Sequence, residues 1–112
     1  NSGSSGPGTV AGQMLTGVDF DTLSMAPETG YNVDATAAPA LGTSWYSYDP
    51  ATHLMTIVPS KVIVLKTSDG KYAKLQILGY YKGAPASPKP EDPARFFTFK
   101  YVIQKDGSRK LK

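Results

Sequence analysis

The chain has 112 residues, 40% hydrophobic and 19% charged, which is typical of one small globular domain. It has no cysteine, which excludes disulfides, thiolate metal sites and cysteine nucleophiles. The formal net charge of +3 is too small to indicate nucleic-acid binding, and the absence of a long apolar run predicts no membrane span.

The chain begins with a glycine-rich segment, residues 1–13, built mostly from glycine, serine and other small residues. Such a segment buries too little apolar surface to order itself, so we expect a loop. It has neither the basic start nor the apolar centre of a signal peptide. Its Ser-Gly-Ser-Ser-Gly run is similar to an expression linker, and the alternative is a native loop whose partner strand lies upstream.

The next part, residues 14–59, predicts short strands between turns. Most of residues 14–44 reads as irregular, with a short strand at 18–21 and at most one helical turn within 34–42. The composition of 45–48 and 53–58 favours two strands, since Asp49-Pro50 and Pro59 end these runs.

Three further strands follow at residues 61–67, 71–81 and 95–104. Asp69-Gly70 between the first two is a strong hairpin signal because glycine accepts the positive φ of the turn. The segment 82–94 contains four prolines and predicts an exposed loop, and the basic tail 108–112 is expected to be solvated.

Period-two alternation in the last strand gives one face an apolar row, made of Phe97, Phe99, Tyr101 and Ile103. The pattern predicts a mainly β domain over 14–107, an antiparallel sheet folded into a two-layer sandwich. We expect Trp45 and the phenylalanines of the last strand in its core.

A family resemblance is carried by the following segments: 45–48, His53, 62–67, 69–77, 80–81, 97–101 and Gln104. With these segments, the stretch from Trp45 to Gln104 resembles the C-terminal part of the HmuY-like family of Bacteroidetes surface lipoproteins. Residues 1–6, with Gly8 and Gly12, are similar to the glycine-rich loop of that family, which favours a native loop at the start.

The resemblance implies a non-enzymatic protein at the cell surface, in the outer membrane or outside the cell, that binds haem between two axial side chains. Its partners would be haem or haemoproteins. The family's N-terminal strands have no counterpart here, so we expect a cleaved N-terminal segment or a neighbouring subunit to add a strand to the sheet.

Haem iron takes imidazole or thioether ligands in a dry apolar pocket. The one histidine rules out two histidine ligands from this chain, so the candidates for ligating the iron are Met25, His53 and Met55. His53 and Met55 lie two positions apart on one strand face, so we expect one of them to act with Met25. Tyr48 is a candidate for contacting the porphyrin, and Met14 is the weakest methionine.

Structural roles compete with each of these assignments. A lone histidine often bonds a turn, methionine fills gaps in cores, and tyrosines are common in strands. A second hypothesis is therefore a cofactor-free subunit of an extracellular filament or outer-membrane complex, completed by a strand from another chain. No catalytic motif indicates an enzyme.

Overall fold

The computed structural model describes residues 9–35 and 38–112. Throughout these ranges the ordered elements are strands, without a helix, which confirms the predicted mainly β class. The strands are β1 (Ala11–Thr16), β2 (Asn32–Val33), β3 (Tyr46–Asp49), β4 (Leu54–Ile57), β5 (Lys61–Lys66), β6 (Tyr72–Tyr81) and β7 (Ala94–Gln104).

Five strands form one antiparallel sheet in the order β2-β1-β5-β6-β7, and β3 and β4 form a second sheet. The predicted Asp69-Gly70 hairpin joins β5 to β6, with Gly70 at φ 80°. The Thr67 N–H donates to the Lys71 carbonyl at 2.8 Å, and the Thr67 hydroxyl donates to the Asp69 carboxylate. Glycine and a local side-chain bond thus fix this turn.

The N-terminal part of the domain differs from the prediction. β1 starts at Ala11, so residues 11–13 belong to a strand and not to the loop, and β1 pairs with β5 along its whole length. The strand predicted at 18–21 is wrong, because Asp19 accepts the Asp21 N–H at 2.7 Å and forms a local turn. Residues 36 and 37 of the possible helical turn, and residues 1–8, lie outside the described ranges.

One face of the large sheet is closed by the irregular segment 17–31. Phe20 and Ala26 of this segment pack with Val62, Val64 and Tyr72 of the sheet. Lys74 also belongs to this core and is only 2% exposed. Its Nζ donates to the main-chain carbonyls of Phe20 and Leu23, the latter at 2.9 Å, so the lysine ties the covering segment to the sheet.

The tail at 108–112 is part of the fold, so the expectation of a solvated tail is wrong. Leu111 is completely buried in the core, and its N–H donates to the Ser24 carbonyl at 2.8 Å. The Arg109 guanidinium donates to the Ala26 carbonyl at 2.7 Å and to Glu28 at 2.9 Å. Leu111 is apolar although it lies between lysines, and its burial stabilises the packing of the tail against the covering segment.

The opposite face of the sheet stays open along β7. Phe97, Phe99, Tyr101 and Ile103 do share a face, as the alternation predicts, but each is between 48% and 59% exposed. The prediction that the phenylalanines lie in the core is therefore wrong, and Trp45 is only half-buried. Alternation shows which side chains share a face, whereas the covering segment decides which face is buried.

Toward β1 the open face is closed locally. A Cβ built on Gly12 would lie 2.9 Å from a Leu41 methyl carbon and 3.1 Å from one of Leu65, so Leu41 packs over the sheet there. Ile63 and Ala73 of this face are also buried, at 6% and 8% exposure. The uncovered apolar surface is thus concentrated at the β7 side.

Candidate ligand-binding cleft

An open cleft of about 410 Å³ lies between the β3–β4 hairpin and the distal ends of β6 and β7. This volume falls within the range of small-molecule sites, about 300–1,000 Å³. The cleft brings together three of the four site residues predicted from the sequence, Tyr48, His53 and Met55. The remaining walls come from the end of β6, the start of β7 and the proline-rich loop, including Tyr80, Tyr81, Pro90, Asp92 and Arg95.

Tyr48 and His53 form a hydrogen-bonded pair on the hairpin. Tyr48 Oη lies 2.6 Å from His53 Nδ1, and the two rings are tilted with centroids 6.2 Å apart. Because this bond engages Nδ1, Nε2 is the ring nitrogen that could meet a ligand. A polar partner on one imidazole nitrogen is the usual way in which a protein orients a metal-binding histidine.

The turn that presents His53 is held by Asp49. Its carboxylate accepts the Ala51 N–H at 2.9 Å and the Thr52 hydroxyl at 3.0 Å, while its carbonyl accepts the His53 N–H at 2.7 Å. His53 itself has φ 59°, an unusual conformation for a side chain other than glycine. The bonds from Ala51 and Thr52 lower the pKa of the Asp49 carboxyl.

Met55 is anchored through its main chain, whose N–H donates to Tyr81 Oη at 2.9 Å. Its side chain borders the cleft and also a smaller cavity of about 210 Å³ beneath the proline-rich loop. Pro85, Ala86 and Pro88 line that smaller cavity, which contains neither the histidine nor Tyr48. We therefore assign the candidate site to the larger cleft, where the donor groups lie.

Aromatic rings and one cation complete the cleft. Tyr80 and Tyr81 meet edge to face with centroids 5.4 Å apart, and Tyr80 meets Phe97 in the same way at 5.2 Å. Arg95 is exposed at the rim with φ 70°, in the irregular part of β7. Such a site combines flat apolar walls, an imidazole and a guanidinium, a set that suits an aromatic ligand carrying an anionic group.

Met25 lies elsewhere, in a β-bridge with Lys110 in the segment that covers the closed face. The Lys110 carbonyl accepts a hydrogen bond from the Gln104 side chain, and Gln104 pairs with Tyr72 at the start of β6. The cleft lies at the other end of β6, at Tyr81. Ten residues of extended chain span about 30 Å. The expected pairing of Met25 with His53 or Met55 is not formed within this chain.

Sequence reasoning missed Arg95 and Lys74. Arg95 follows a proline-rich loop, and its conformation depends on an irregular pairing between Gly79 and Tyr81 that no local pattern announces. Lys74 alternates with apolar residues and so reads as solvent-facing, yet the irregular segment buries it. Recognising either residue requires knowing which segment packs on which face.

A scan against protein-family models finds no match, and a search of the curated proteins finds none either. Within residues 9–35 and 38–112, no cluster of three or more histidine, cysteine, aspartate or glutamate side chains is placed to hold a metal ion. The same residues include no helix long and apolar enough to cross a bilayer.

Proposed function

We propose that this chain is a non-enzymatic binding domain for a planar porphyrin such as haem, held in the cleft beside the β3–β4 hairpin. The observation that carries the proposal is the convergence of Tyr48, His53 and Met55 on one cleft with Arg95 at its rim. The family resemblance points to the same ligand and to a location at the cell surface or outside the cell.

The donor set fits a porphyrin iron with one protein ligand from this chain. His53 Nε2 is a suitable donor because Nδ1 is held by Tyr48. Met55 borders the same cleft, so His53 and Met55 would approach an iron from the same hairpin rather than from opposite faces. Bound iron would supply the coordination bond, while Tyr80 and Arg95 would contact the ring and an anionic substituent such as a propionate.

The test is a titration with haemin, followed by the Soret band and by quenching of Trp45, the one tryptophan of the chain. We expect a shifted Soret band and saturable quenching. His53→Ala should remove the shift, whereas Met25→Ala should leave it unchanged, since Met25 lies away from the cleft. A wild-type spectrum equal to that of free haemin would refute the proposal.

Metal-free protoporphyrin separates ring binding from iron ligation. We expect it to quench Trp45 in both the wild type and His53→Ala, because stacking and the anionic groups do not need the imidazole. Arg95→Gln should weaken both porphyrins by about tenfold, the effect of losing one charge-assisted bond. Equal affinity of Arg95→Gln and the wild type would remove the arginine from the site.

A cofactor-free role as an assembly subunit, completed by a strand from another chain, would use a different surface. The cleft lies at the distal end of β6, whereas strand addition needs the free side of β7. Variants in the cleft therefore leave that second role intact.

A further inference from the structure

The two edges of the five-stranded sheet are protected very differently. One edge is β2, which is only two residues long, and the other is β7, which has eleven residues. Very short edge strands resist pairing with other chains, whereas long ones present a row of unpaired backbone groups. β7 is therefore the longest edge at which another strand can be added.

β7 lacks most features that normally block such pairing. It contains no proline, and its bulge-type irregularities are confined to the pairings from Ile77 to Tyr81, opposite its N-terminal part. The stretch from Thr98 to Gln104 includes one charged residue, Lys100, which lies 3.4 Å from Asp21 over the closed face. The open face of that stretch carries the exposed Phe99, Tyr101 and Ile103.

We propose that β7 pairs with β7 of a second copy of this chain, antiparallel and about a two-fold axis at Tyr101. The ladder between β6 and β7 is regular from Phe99 to Gln104, and on the open face of this stretch Tyr101 lies between Phe99 and Ile103. An antiparallel pair of identical strands through this stretch sets Phe99 opposite the partner's Ile103 and Thr98 opposite the partner's Gln104. Tyr101 meets its own counterpart.

This register matches apolar side chains with one another and sets no like charges directly opposite. Lys100 faces the partner's Val102, so no like charges lie directly opposite each other, and each Lys100 keeps Asp21 beside it. The open-face row gains one aromatic pair and two aromatic-aliphatic pairs, the kinds of cross-strand pair that stabilise sheets. A second copy is thus the occupant that the sequence of the edge itself matches.

The interface is of modest size. Two aromatic side chains, each about half exposed, offer roughly 200 Å² per copy, and backbone pairing adds to this. Stable interfaces bury about 800 Å² per partner. We therefore expect a reversible dimer, with a dissociation constant of about 10–100 µM, typical of small contacts.

Sedimentation velocity over about 5–500 µM tests the association. The wild type should change from monomer to dimer as its concentration rises. Tyr101→Lys places two ammonium groups opposite each other and should stay monomeric, with circular dichroism confirming its fold. Val33→Lys alters an equally exposed apolar residue on the other edge and should dimerise like the wild type. A wild type that is monomeric at every concentration, or a dimeric Tyr101→Lys, would overturn the proposal.

Cysteine cross-linking tests the register in a chain that has no cysteine of its own. Directly opposed residues have Cα atoms about 4.5–5.5 Å apart, within the range of a disulfide. Tyr101→Cys should therefore give a covalent dimer under mild oxidation. Phe99→Cys should not, because its two copies lie about 14 Å apart along the strands. Cross-linking of Phe99→Cys as fast as Tyr101→Cys would exclude this register.

Discussion

The closure of the domain by its C-terminal tail makes Leu111 the most direct residue to test. Leu111 has no exposed surface and packs with Phe20, Ala26 and Val62 in the core. Replacing a buried leucine by alanine costs 2–5 kcal/mol, and we expect about 3 kcal/mol, near the middle of that range. The Ala variant keeps the main-chain bond to Ser24, so the loss reports packing alone.

The effect should be visible in thermal unfolding. The unfolding entropy of 112 residues is about 0.24 kcal/mol/K, so a loss of 3 kcal/mol lowers the Tm by about 13 °C. Lys112→Ala, at an exposed neighbouring position, should change stability by less than about 0.5 kcal/mol. Calorimetry and urea titration measure both variants. If Leu111→Ala loses less than about 1 kcal/mol, the tail is not part of the core and our account of the closed face is wrong.

Four further predictions concern the closed face and the turns. Lys74→Met should lower the free energy of unfolding in urea by about 2 kcal/mol, because the carbonyls of Phe20 and Leu23 lose a charged hydrogen-bond donor. The variant no longer buries an ammonium group, which offsets part of that loss. Burial lowers the pKa of Lys74 in the folded chain, so the unfolded chain binds more protons at pH values between that lowered pKa and 10.5. In this pH range the free energy of unfolding of the wild type should rise with pH relative to that of Lys74→Met. Parallel plots of the two free energies against pH would contradict this prediction. The pKa of the Asp49 carboxyl is also lowered in the folded chain, so the carboxylate stabilises the fold above a pH of about 3.8 and loses this effect as the pH falls through its folded-state pKa. The wild type should therefore lose its stability advantage over Asp49→Asn in acid, as measured by urea titration at several pH values. Gly70→Ala forces a Cβ into φ 80° and should cost about 1 kcal/mol in thermal unfolding, and an unchanged Tm would refute the turn assignment.

The elements that sequence reasoning predicted correctly are those encoded locally. The strands near 61–67, 71–81 and 95–104 are marked by β-branched and aromatic runs, and their turn by Asp69-Gly70. β1 was missed because it carries glycine and glutamine and depends on pairing with β5 for its order. The closed face was missed because a distant segment and the tail cover it, and no period-two pattern contains that information.

The candidate site divides in the same way. Tyr48, His53 and Met55 lie at one cleft because a short hairpin places them together. The expectation that His53 and Met55 share a strand face is wrong, since β4 begins at Leu54 and His53 lies in the preceding turn with φ 59°. Met25 was misplaced relative to them, since its position is fixed by a bridge to Lys110, 85 residues further along the chain. Spacing along a strand is readable from a sequence, whereas the distance between two loops requires the tertiary fold.

The irregular pairing between β6 and β7 separates the two surfaces proposed here. At Gly79 the ladder loses its regular register, and beyond it Arg95 adopts a positive φ and reaches the cleft. On the other side of this break, Phe99 to Gln104 keep a regular register, and β7 forms the edge of the sheet. A bulge bends a strand and ends its pairing, so one strand can present a side chain to a ligand at one end and a backbone row to a partner at the other. Because the break lies between the cleft and the regular part of β7, a ligand can occupy the cleft without a change in the edge of the sheet. The proposals of haem binding and of self-association can therefore be tested independently.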